Sequence, residues 1–352
     1  MELAKLIRSE VLAQKAYPAE ITECRIRLDA NENPYKLPPS LQEELFARMK
    51  DAALNRYPDP GAPLLRRRYG AFCGVDENWV MTGNGSDELI QILCMAVARP
   101  GAKLLIPTPT FAMYRIIGLT CGLGVIEAPL DADFDLNVAN MIDIIEEASP
   151  ALIFLSYPNN PTGNCFHEDR IKALLEASSG LVVVDEAYFN FSGKTFAPLL
   201  KKYNNLVILR TLSKVGYAAL RIGFLLGSPE LLQELNKVRL PYNLNTLSQL
   251  AAGFFLDAEG AFSEQIACIV TERKYVYAAL QKLEGIYPLR SDANFIFFSC
   301  SLNVYDVYEQ ILREGILIKP FVFPDKQFIR VTIGSHEENE AFIEVLKRII
   351  AK

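Results

Sequence analysis

From about residue 79 onward, short apolar runs alternate with stretches that have helical spacing. The run Leu206–Leu209 is rich in branched side chains and predicts a buried strand of a parallel sheet. Apolar residues three and four apart, as at Leu89, Leu93 and Val97, predict a helix. We predict strands at 79–82, 103–106, 124–127, 151–155, 181–184, 206–209 and 223–226. Strands alternating with helices in this way form a mostly parallel sheet covered on both faces.

The two ends of the chain have a different pattern. Near the N-terminus a strand-like segment and a polar turn lead to a helix that Ser40 is expected to cap, with Glu43 in capping-box position. After residue 241 a long helical stretch, which 257–260 is expected to interrupt, precedes strands mixed with helices. We predict an α/β protein with an N-terminal arm (1–40) that joins the small domain, a large domain (41–241) with a mostly parallel seven-stranded sheet flanked by helices, and a smaller α+β domain (242–352).

Composition narrows the class of protein. The 352 residues are half hydrophobic and 22% charged, with a net charge of −6, which gives no reason to expect nucleic acid or a membrane as partner. Seven cysteines without a C-x-x-C pair favour free thiols in a reducing cytoplasm. His167 and His336 are the only histidines, which excludes a multi-histidine metal site. We expect no metal.

A lysine follows the predicted strand 206–209, in the order Ser213-Lys214. Partial burial at the end of a strand lowers the pKa of a lysine, and its neutral amine can then form a Schiff base. Ser213 and Arg221 are suited to holding a phosphate nearby. This combination suggests pyridoxal phosphate (PLP), although the stretch alone is equally compatible with a surface lysine after an ordinary strand.

Two further polar motifs follow predicted strands. Asp185 comes directly after Leu181–Val184, and a buried carboxylate is what keeps a PLP ring nitrogen protonated. Tyr188, three residues on, could hydrogen-bond the ring hydroxyl. The turn between Pro158 and Pro161 can aim the Asn160 amide at the same oxygen. On its own, Asp185 could instead cap a helix.

Weaker motifs complete the set. The N–H groups of Gly85, Ser86 and Asp87 open a predicted helix and are candidates for binding phosphate. Phe111 is our candidate for stacking on the cofactor ring, with Tyr114 as the alternative. Arg330, in a predicted strand, is our candidate for a substrate carboxylate or phosphate.

Together these motifs resemble the fold-type-I PLP aminotransferases (class II subgroup) and, within them, the histidinol-phosphate aminotransferase family. The resemblance rests on these segments, in the family's order: 28–34, 55–58, 83–88, 158–163, 185–188, 211–214, 220–223, 241–243 and 329–334. It implies an aspartate-aminotransferase-like fold and transfer of an amino group between a phosphorylated amino alcohol and 2-oxoglutarate, with glutamate as the other product, in histidine biosynthesis. Lys214 would carry the cofactor.

The resemblance also implies a homodimer with shared active sites, in which Tyr57 reaches the partner's cofactor phosphate. Tyr17 and Asn31 match the family's substrate-binding positions, and Arg330 matches its carboxylate-binding arginine. Lys319 stands where many relatives carry an arginine for the substrate phosphate. A lysine is a point charge and not a planar fork, so this position departs from the family pattern.

Other functions remain open from the sequence. A threonine-phosphate decarboxylase or an aromatic amino acid aminotransferase would share the fold and the cofactor. A PLP-binding regulator would need a fused DNA-binding segment, for which the chain has no spare length. An unrelated nucleotide-binding enzyme is disfavoured, because no G-x-G-x-x-G or G-x-x-x-x-G-K-[ST] motif follows a strand.

Overall fold

The computed structural model describes residues 3–15 and 22–351. Within these ranges the strands are β1 (Ile26–Arg27), β2 (Val80–Asn84), β3 (Lys103–Thr108), β4 (Gly124–Pro129), β5 (Leu152–Ser156), β6 (Leu181–Asp185), β7 (Leu206–Thr211), β8 (Ile222–Leu226), β9 (Ile286–Pro288), β10 (Phe295–Cys300), β11 (Ile316–Leu317), β12 (Lys319–Val322) and β13 (Gln327–Thr332). The helices are α1 (Ser9–Leu12), α2 (Pro39–Lys50), α3 (Pro63–Cys73), α4 (Ser86–Val97), α5 (Ala112–Thr120), α6 (Val138–Ala148), α7 (Glu168–Ala177), α8 (Phe189–Ser192), α9 (Pro229–Leu235), α10 (Thr246–Asp257), α11 (Glu259–Leu280), α12 (Val304–Arg313) and α13 (His336–Ile350).

The large sheet has seven strands in the order β2-β8-β7-β6-β5-β3-β4. All neighbouring pairs are parallel except those of β8, which runs antiparallel to both β2 and β7. The prediction of a mostly parallel seven-stranded sheet is therefore confirmed. The carboxyl ends of β5, β6 and β7 lie side by side, because Ser156 pairs with Asp185 and Asp185 pairs with Leu209.

Apolar layers cover both faces of this sheet. Along β6, Val182 and Val184 belong to one buried cluster and Val183 to another on the opposite face. All three valines are fully buried. Successive side chains of a strand point to opposite faces, so a continuous apolar run is what a strand covered by helices on both sides requires.

The second sheet is antiparallel, in the order β12-β13-β10-β9, and shares a buried cluster with α12 and α13. The arm joins this part of the molecule, since β1 pairs in parallel with β11 and the Leu28 carbonyl accepts from the Thr332 N–H at 2.8 Å. A capping box between Ser335 and Glu338 starts α13. The domain boundaries near residues 40 and 241 stay predictions.

Two expectations about helices have different outcomes. Helix α2 begins at Pro39, with Pro38 before it and no side-chain cap. The predicted Ser40 cap is therefore wrong, because proline at the first helical position already fixes the backbone angle that starts the helix. The expected interruption of the long C-terminal helical stretch is confirmed, at Ala258. In the part of the chain that the structure describes, every helix is too short or too polar to cross a lipid bilayer.

Candidate active site

Asp185 is a buried acid at the carboxyl end of β6, with 3% of its surface exposed. Its partners are neutral donors: the Tyr114 hydroxyl donates to Oδ2 at 2.7 Å and the Ala187 N–H donates to Oδ1 at 3.1 Å. Burial raises the pKa of Asp185 to about 6, and the two hydrogen bonds oppose that rise. Such a carboxylate is suited to pairing with a cation that enters the site.

Tyr114 lies on α5 and holds this acid in place. Its ring is fully buried and stacks on Phe154, with centroids 4.8 Å apart. Phe111, just before α5, meets Tyr114 edge to face at 5.4 Å. Tyr114 is thus already stacked within the protein, and Phe111 stays our prediction for the cofactor ring. Sequence reasoning missed the hydrogen bond to Asp185, although the three-residue spacing places both aromatics on one side of the start of α5.

Lys214 lies in a short 3-10 turn, Ser213–Val215, directly after β7. Its Nζ donates to the Ala30 carbonyl at 3.1 Å, and the side chain keeps partial access to solvent. Burial of the amine, together with the nearby Arg330 cation, lowers the pKa of Lys214 to about 8. About a tenth of this amine is therefore neutral and nucleophilic at pH 7, far more than for an ordinary lysine.

An arginine links this turn to the start of α4. Arg221 has a left-handed backbone (φ 52°), and its Nη1 donates to Ser213 Oγ at 3.3 Å. Its Nη2 donates to Asp87 Oδ2, also at 3.3 Å. Ser213 is in turn fixed by Thr211, whose hydroxyl accepts from the Ser213 N–H at 3.1 Å. The guanidinium therefore lies beside the first turn of α4.

Glycines keep the start of α4 accessible. A Cβ on Gly85, whose φ is +80°, would lie 2.5 Å from Arg221 Nη2. A Cβ on Gly223 would lie 2.6 Å from the backbone nitrogen of Ser86. Gly223 cannot accommodate a side chain, because the atoms it would meet are backbone, and at Gly85 the positive φ disfavours one and the Arg221 guanidinium would have to move. A helix N-terminus with N–H groups beside a guanidinium is an anion-binding arrangement.

Arg330, on β13, connects the two sheets through a polar chain. Its Nη1 donates to Asn160 Oδ1 at 2.6 Å, and its Nη2 donates to the Asp29 carbonyl at 2.5 Å. The Asn160 amide donates onward to the Tyr188 hydroxyl at 3.3 Å, as does Asn31 at 3.0 Å. The four residues of this hydrogen-bonded series are each at least nine-tenths buried: Arg330, Asn160, Tyr188 and Asn31.

The remaining predicted residues lie as follows. Lys319 pairs with Arg330 across β12 and β13 and is half-buried. Tyr57 is 81% exposed and stacks on Tyr242 at 4.6 Å. Tyr17 lies outside the described residues. The structure therefore brings together the candidates at the ends of β5, β6 and β7 with Arg330 and Asn31, and leaves Tyr57 at the surface.

The charges of the site converge on Lys214. Its amine is influenced by the Arg330 and Arg221 cations and by the Glu32 and Asp87 carboxylates. Sequence reasoning missed the Ala30 carbonyl as its hydrogen-bond partner, because backbone atoms carry no residue-specific pattern. The Lys214 amine therefore lies between two arginines, Arg221 beside α4 and Arg330 on the small sheet.

The residues present fit PLP on observations of this structure. Asp185 is a buried acid that accepts hydrogen bonds from neutral donors, so it can accept a ring cation. The glycine-lined start of α4 and Arg221 can accept a phosphate. Lys214 presents an amine of lowered pKa. These are the three requirements of an enzyme that uses an aldehyde cofactor with a cationic ring and a phosphate.

Comparison with known proteins agrees with this geometry. The sequence profile of aminotransferase class I and II matches residues 25–346. The chain belongs to this family, and it is therefore an aminotransferase by descent and an enzyme by class.

Within the family, the chain is similar to histidinol-phosphate aminotransferases of other organisms. It is 44% identical to histidinol-phosphate aminotransferase 2 of Nitrosococcus oceani, over 98% of this chain and 97% of that protein. It is 37% identical to histidinol-phosphate aminotransferase of Aquifex aeolicus, over 98% of each chain. The resemblance found in the motifs is confirmed.

Solved structures agree on the fold. The histidinol-phosphate aminotransferase of Sinorhizobium meliloti, solved in complex with pyridoxal-5'-phosphate, superposes with a TM-score of 0.89 at 22% identity, covering 98% of this chain and 97% of that one. An aspartate aminotransferase of Thermus thermophilus gives 0.83 at 18% identity, covering 97% and 99%. The predicted aspartate-aminotransferase-like fold is confirmed.

Proposed function

We propose that this protein is a PLP-dependent enzyme that transfers an amino group between L-histidinol phosphate and 2-oxoglutarate, giving imidazole acetol phosphate and glutamate, in histidine biosynthesis. The observation that carries the proposal is the identity of 37–44% over nearly the whole chain to relatives that bear this name. The site supports it with the buried acid, the shielded lysine and the two arginines.

The roles of the residues follow from their places. Bound PLP supplies a protonated ring that withdraws electrons from the carbon carrying the amine. Asp185 would pair with the ring nitrogen, and Asn160 and Tyr188 would hydrogen-bond the ring oxygen. Phe111 would stack on the ring. The phosphate would be held by this set: the Ser213 hydroxyl, Arg221, the N–H groups of Gly85, Ser86 and Asp87, and the partner subunit's Tyr57.

Lys214 has two tasks in this account. Its neutral amine would hold the cofactor covalently. When free, Nζ would take the proton from the substrate carbon that bears the amino group and later return a proton as general acid. A pKa of about 8 suits both directions, because the base and the conjugate acid are both populated near neutral pH.

Arg330 is the substrate anchor in this proposal. Its fork is fixed by Asn160 and the Asp29 carbonyl, and its position on β13 faces the site from the small sheet. A planar fork binds a carboxylate or phosphate bidentately, so Arg330 serves glutamate and the phosphate substrate in turn. Lys319, on the neighbouring strand, adds a second positive charge for the phosphate. Tyr17 completes this set.

We further propose a homodimer with shared active sites. Several large apolar side chains are exposed in the single chain, among them Leu54 at 75%, Tyr57 at 81% and Leu240 at 72%. A second copy would cover such residues, and Tyr57 of each subunit would then lie near the cofactor of the other. We also propose a reducing, cytoplasmic compartment, since all seven cysteines carry free thiols.

Steady-state assays with PLP-loaded protein test the proposed substrate. With 2-oxoglutarate as acceptor, kcat/KM for L-histidinol phosphate should exceed that for phenylalanine by at least about a hundredfold, the discrimination that a buried anion anchor provides. Threonine phosphate should yield no decarboxylated amine. A higher kcat/KM for phenylalanine, or release of carbon dioxide from threonine phosphate, would refute the assignment and retain the fold.

A further inference from the structure

The Tyr188 hydroxyl oxygen accepts hydrogen bonds from two side-chain amides that lie far apart in the sequence. The Asn31 Nδ2 atom, in the arm, lies 3.0 Å from the oxygen, and the Asn160 Nδ2 atom, after β5, lies 3.3 Å away. An amide nitrogen donates and cannot accept a hydrogen bond. The hydrogen of the Tyr188 hydroxyl is therefore directed to a group other than these two amides.

Thr332 contacts the oxygen end of the Asn31 amide. The Thr332 hydroxyl oxygen accepts from the Asn31 backbone N–H at 3.0 Å. The same hydroxyl donates its hydrogen to Asn31 Oδ1 at 3.1 Å. With Oδ1 turned to Thr332, the amide nitrogen must face Tyr188. In the structure the single hydrogen of the Thr332 hydroxyl is directed to Oδ1, and the Asn31 nitrogen donates to Tyr188.

The orientation of the Asn160 amide is dictated by Arg330. A guanidinium only donates, and Nη1 lies 2.6 Å from Asn160 Oδ1. The Asn160 nitrogen is therefore turned toward Tyr188. Two separate relays, one starting at Thr332 and the other at Arg330, thus end on the same oxygen with the same polarity.

The backbone at Asn31 supports its side chain in this role. Its φ is 55°, in the left-handed region that asparagine tolerates better than most residues. The residue is 1% exposed, and its carbonyl accepts from Asn294 Nδ2 at 3.0 Å. Both side-chain amide atoms are engaged within the protein. Asn31 therefore has the geometry of a structural support, because a substrate-binding side chain would keep a donor or acceptor available for the substrate.

We propose that Asn31 and Thr332 are positioning residues that keep Tyr188 a hydrogen-bond donor to the ring oxygen of the cofactor. This inference rests on the proposed function. It replaces a direct substrate contact by Asn31 with an indirect role, and it makes the arm and β13 part of the support of the cofactor.

Two variants test the polarity of the relay. Asn31→Asp keeps the shape but can only accept, so it draws the Tyr188 hydrogen toward itself. Thr332→Val changes no charge and removes the group that orients the Asn31 amide. Asn33→Asp is the matched control, because it adds the same charge two residues away in a side chain that contacts Val215 and Gln265 instead of Tyr188.

The readout is the pH midpoint of the visible absorbance of PLP-loaded protein. The ring oxygen carries more negative charge in the high-pH form of the bound cofactor, and a hydrogen-bond donor stabilises that charge. Loss of the donor should therefore raise the pH midpoint of the absorbance change. We expect a rise of about one pH unit in Asn31→Asp, the effect of one charge-assisted hydrogen bond. Thr332→Val should shift in the same direction by a smaller amount, and Asn33→Asp should stay close to wild type.

Two results would overturn the inference: equal shifts in Asn31→Asp and Asn33→Asp, or an unchanged midpoint in Thr332→Val. The Thr332→Val midpoint tests the inference even if Asn31→Asp fails to fold. A lowered melting temperature with an unchanged midpoint would show that the role is only structural. A wild-type protein that takes up no PLP would instead refute the proposed function, before any variant is compared.

Discussion

Replacing Tyr114 with phenylalanine removes the side-chain donor that holds Asp185. The hydroxyl lies 2.7 Å from Oδ2, and both residues are buried. A hydrogen bond to a charged group contributes about 1.5–3 kcal/mol. Since one pKa unit corresponds to about 1.4 kcal/mol, the pKa of Asp185 in the PLP-free protein should rise by about one to two units above its value of about 6.

This change has a definite sign in a stability measurement. A carboxyl whose folded-state pKa is raised contributes stability that is fully present below its unfolded pKa, near 3.8, and is lost as pH rises through the folded pKa. In wild type the loss is complete shortly above pH 6. In Tyr114→Phe it should continue for about one to two further pH units. The variant should therefore fall behind wild type by about 1–2.5 kcal/mol more at pH 8 than at pH 5, since a pKa raised to about 8 leaves the carboxyl only half ionised at pH 8.

Urea unfolding of the PLP-free proteins at pH 5 and pH 8 measures this difference. Tyr217→Phe is the matched control, because the Tyr217 hydroxyl is buried without a hydrogen-bond partner among the described residues. Its difference from wild type should be the same at both pH values. If Tyr114→Phe likewise shows the same difference at pH 5 and pH 8, the hydroxyl does not stabilise the Asp185 carboxylate and the reasoning fails.

Three further predictions concern the lysine, the phosphate site and the substrate anchor. Lys214→Ala should abolish steady-state turnover; in wild type, the rate of PLP uptake followed by stopped-flow absorbance should rise with pH around a midpoint near 8, because only the neutral amine attacks and the lowered pKa places its deprotonation there. Gly223→Ala should weaken PLP binding about tenfold or more in an equilibrium titration, because its Cβ would lie 2.6 Å from the Ser86 nitrogen; Gly260→Ala, with nothing within 4 Å, should bind as wild type does. Arg330→Lys should lower kcat/KM for glutamate by about tenfold to a hundredfold while PLP binding is retained, since the charge stays but the bidentate fork is lost; unchanged kcat/KM would remove Arg330 from the substrate site.

Much of the fold and the strand-end part of the site could be predicted from sequence, because both depend on local pattern. Each of the runs ending in β5, β6 and β7 is apolar along most of its length and is followed by polar residues, which identifies a buried strand and its exit. Parallel neighbours bring those exits together. Asn160, Asp185 and Lys214 can therefore be grouped from the amino-acid pattern alone.

The contacts that support these residues could not be predicted in the same way. Arg330 and Asn160 are 170 positions apart, and Asn31 and Thr332 are 301 apart. Such pairs depend on how the small sheet packs on the large one, and no periodicity in the sequence records that. The misplaced Ser40 cap has a different cause, because the prolines before it determine where α2 starts.

The most direct test of the central claim is a single-turnover reaction of PLP-loaded protein with L-histidinol phosphate and no keto acid. The account predicts loss of the visible absorbance of the lysine-bound cofactor and release of one equivalent of imidazole acetol phosphate per active site, with no release from Lys214→Ala. Persistence of the absorbance with L-histidinol phosphate, together with its loss on adding phenylalanine or threonine phosphate, would contradict the claim.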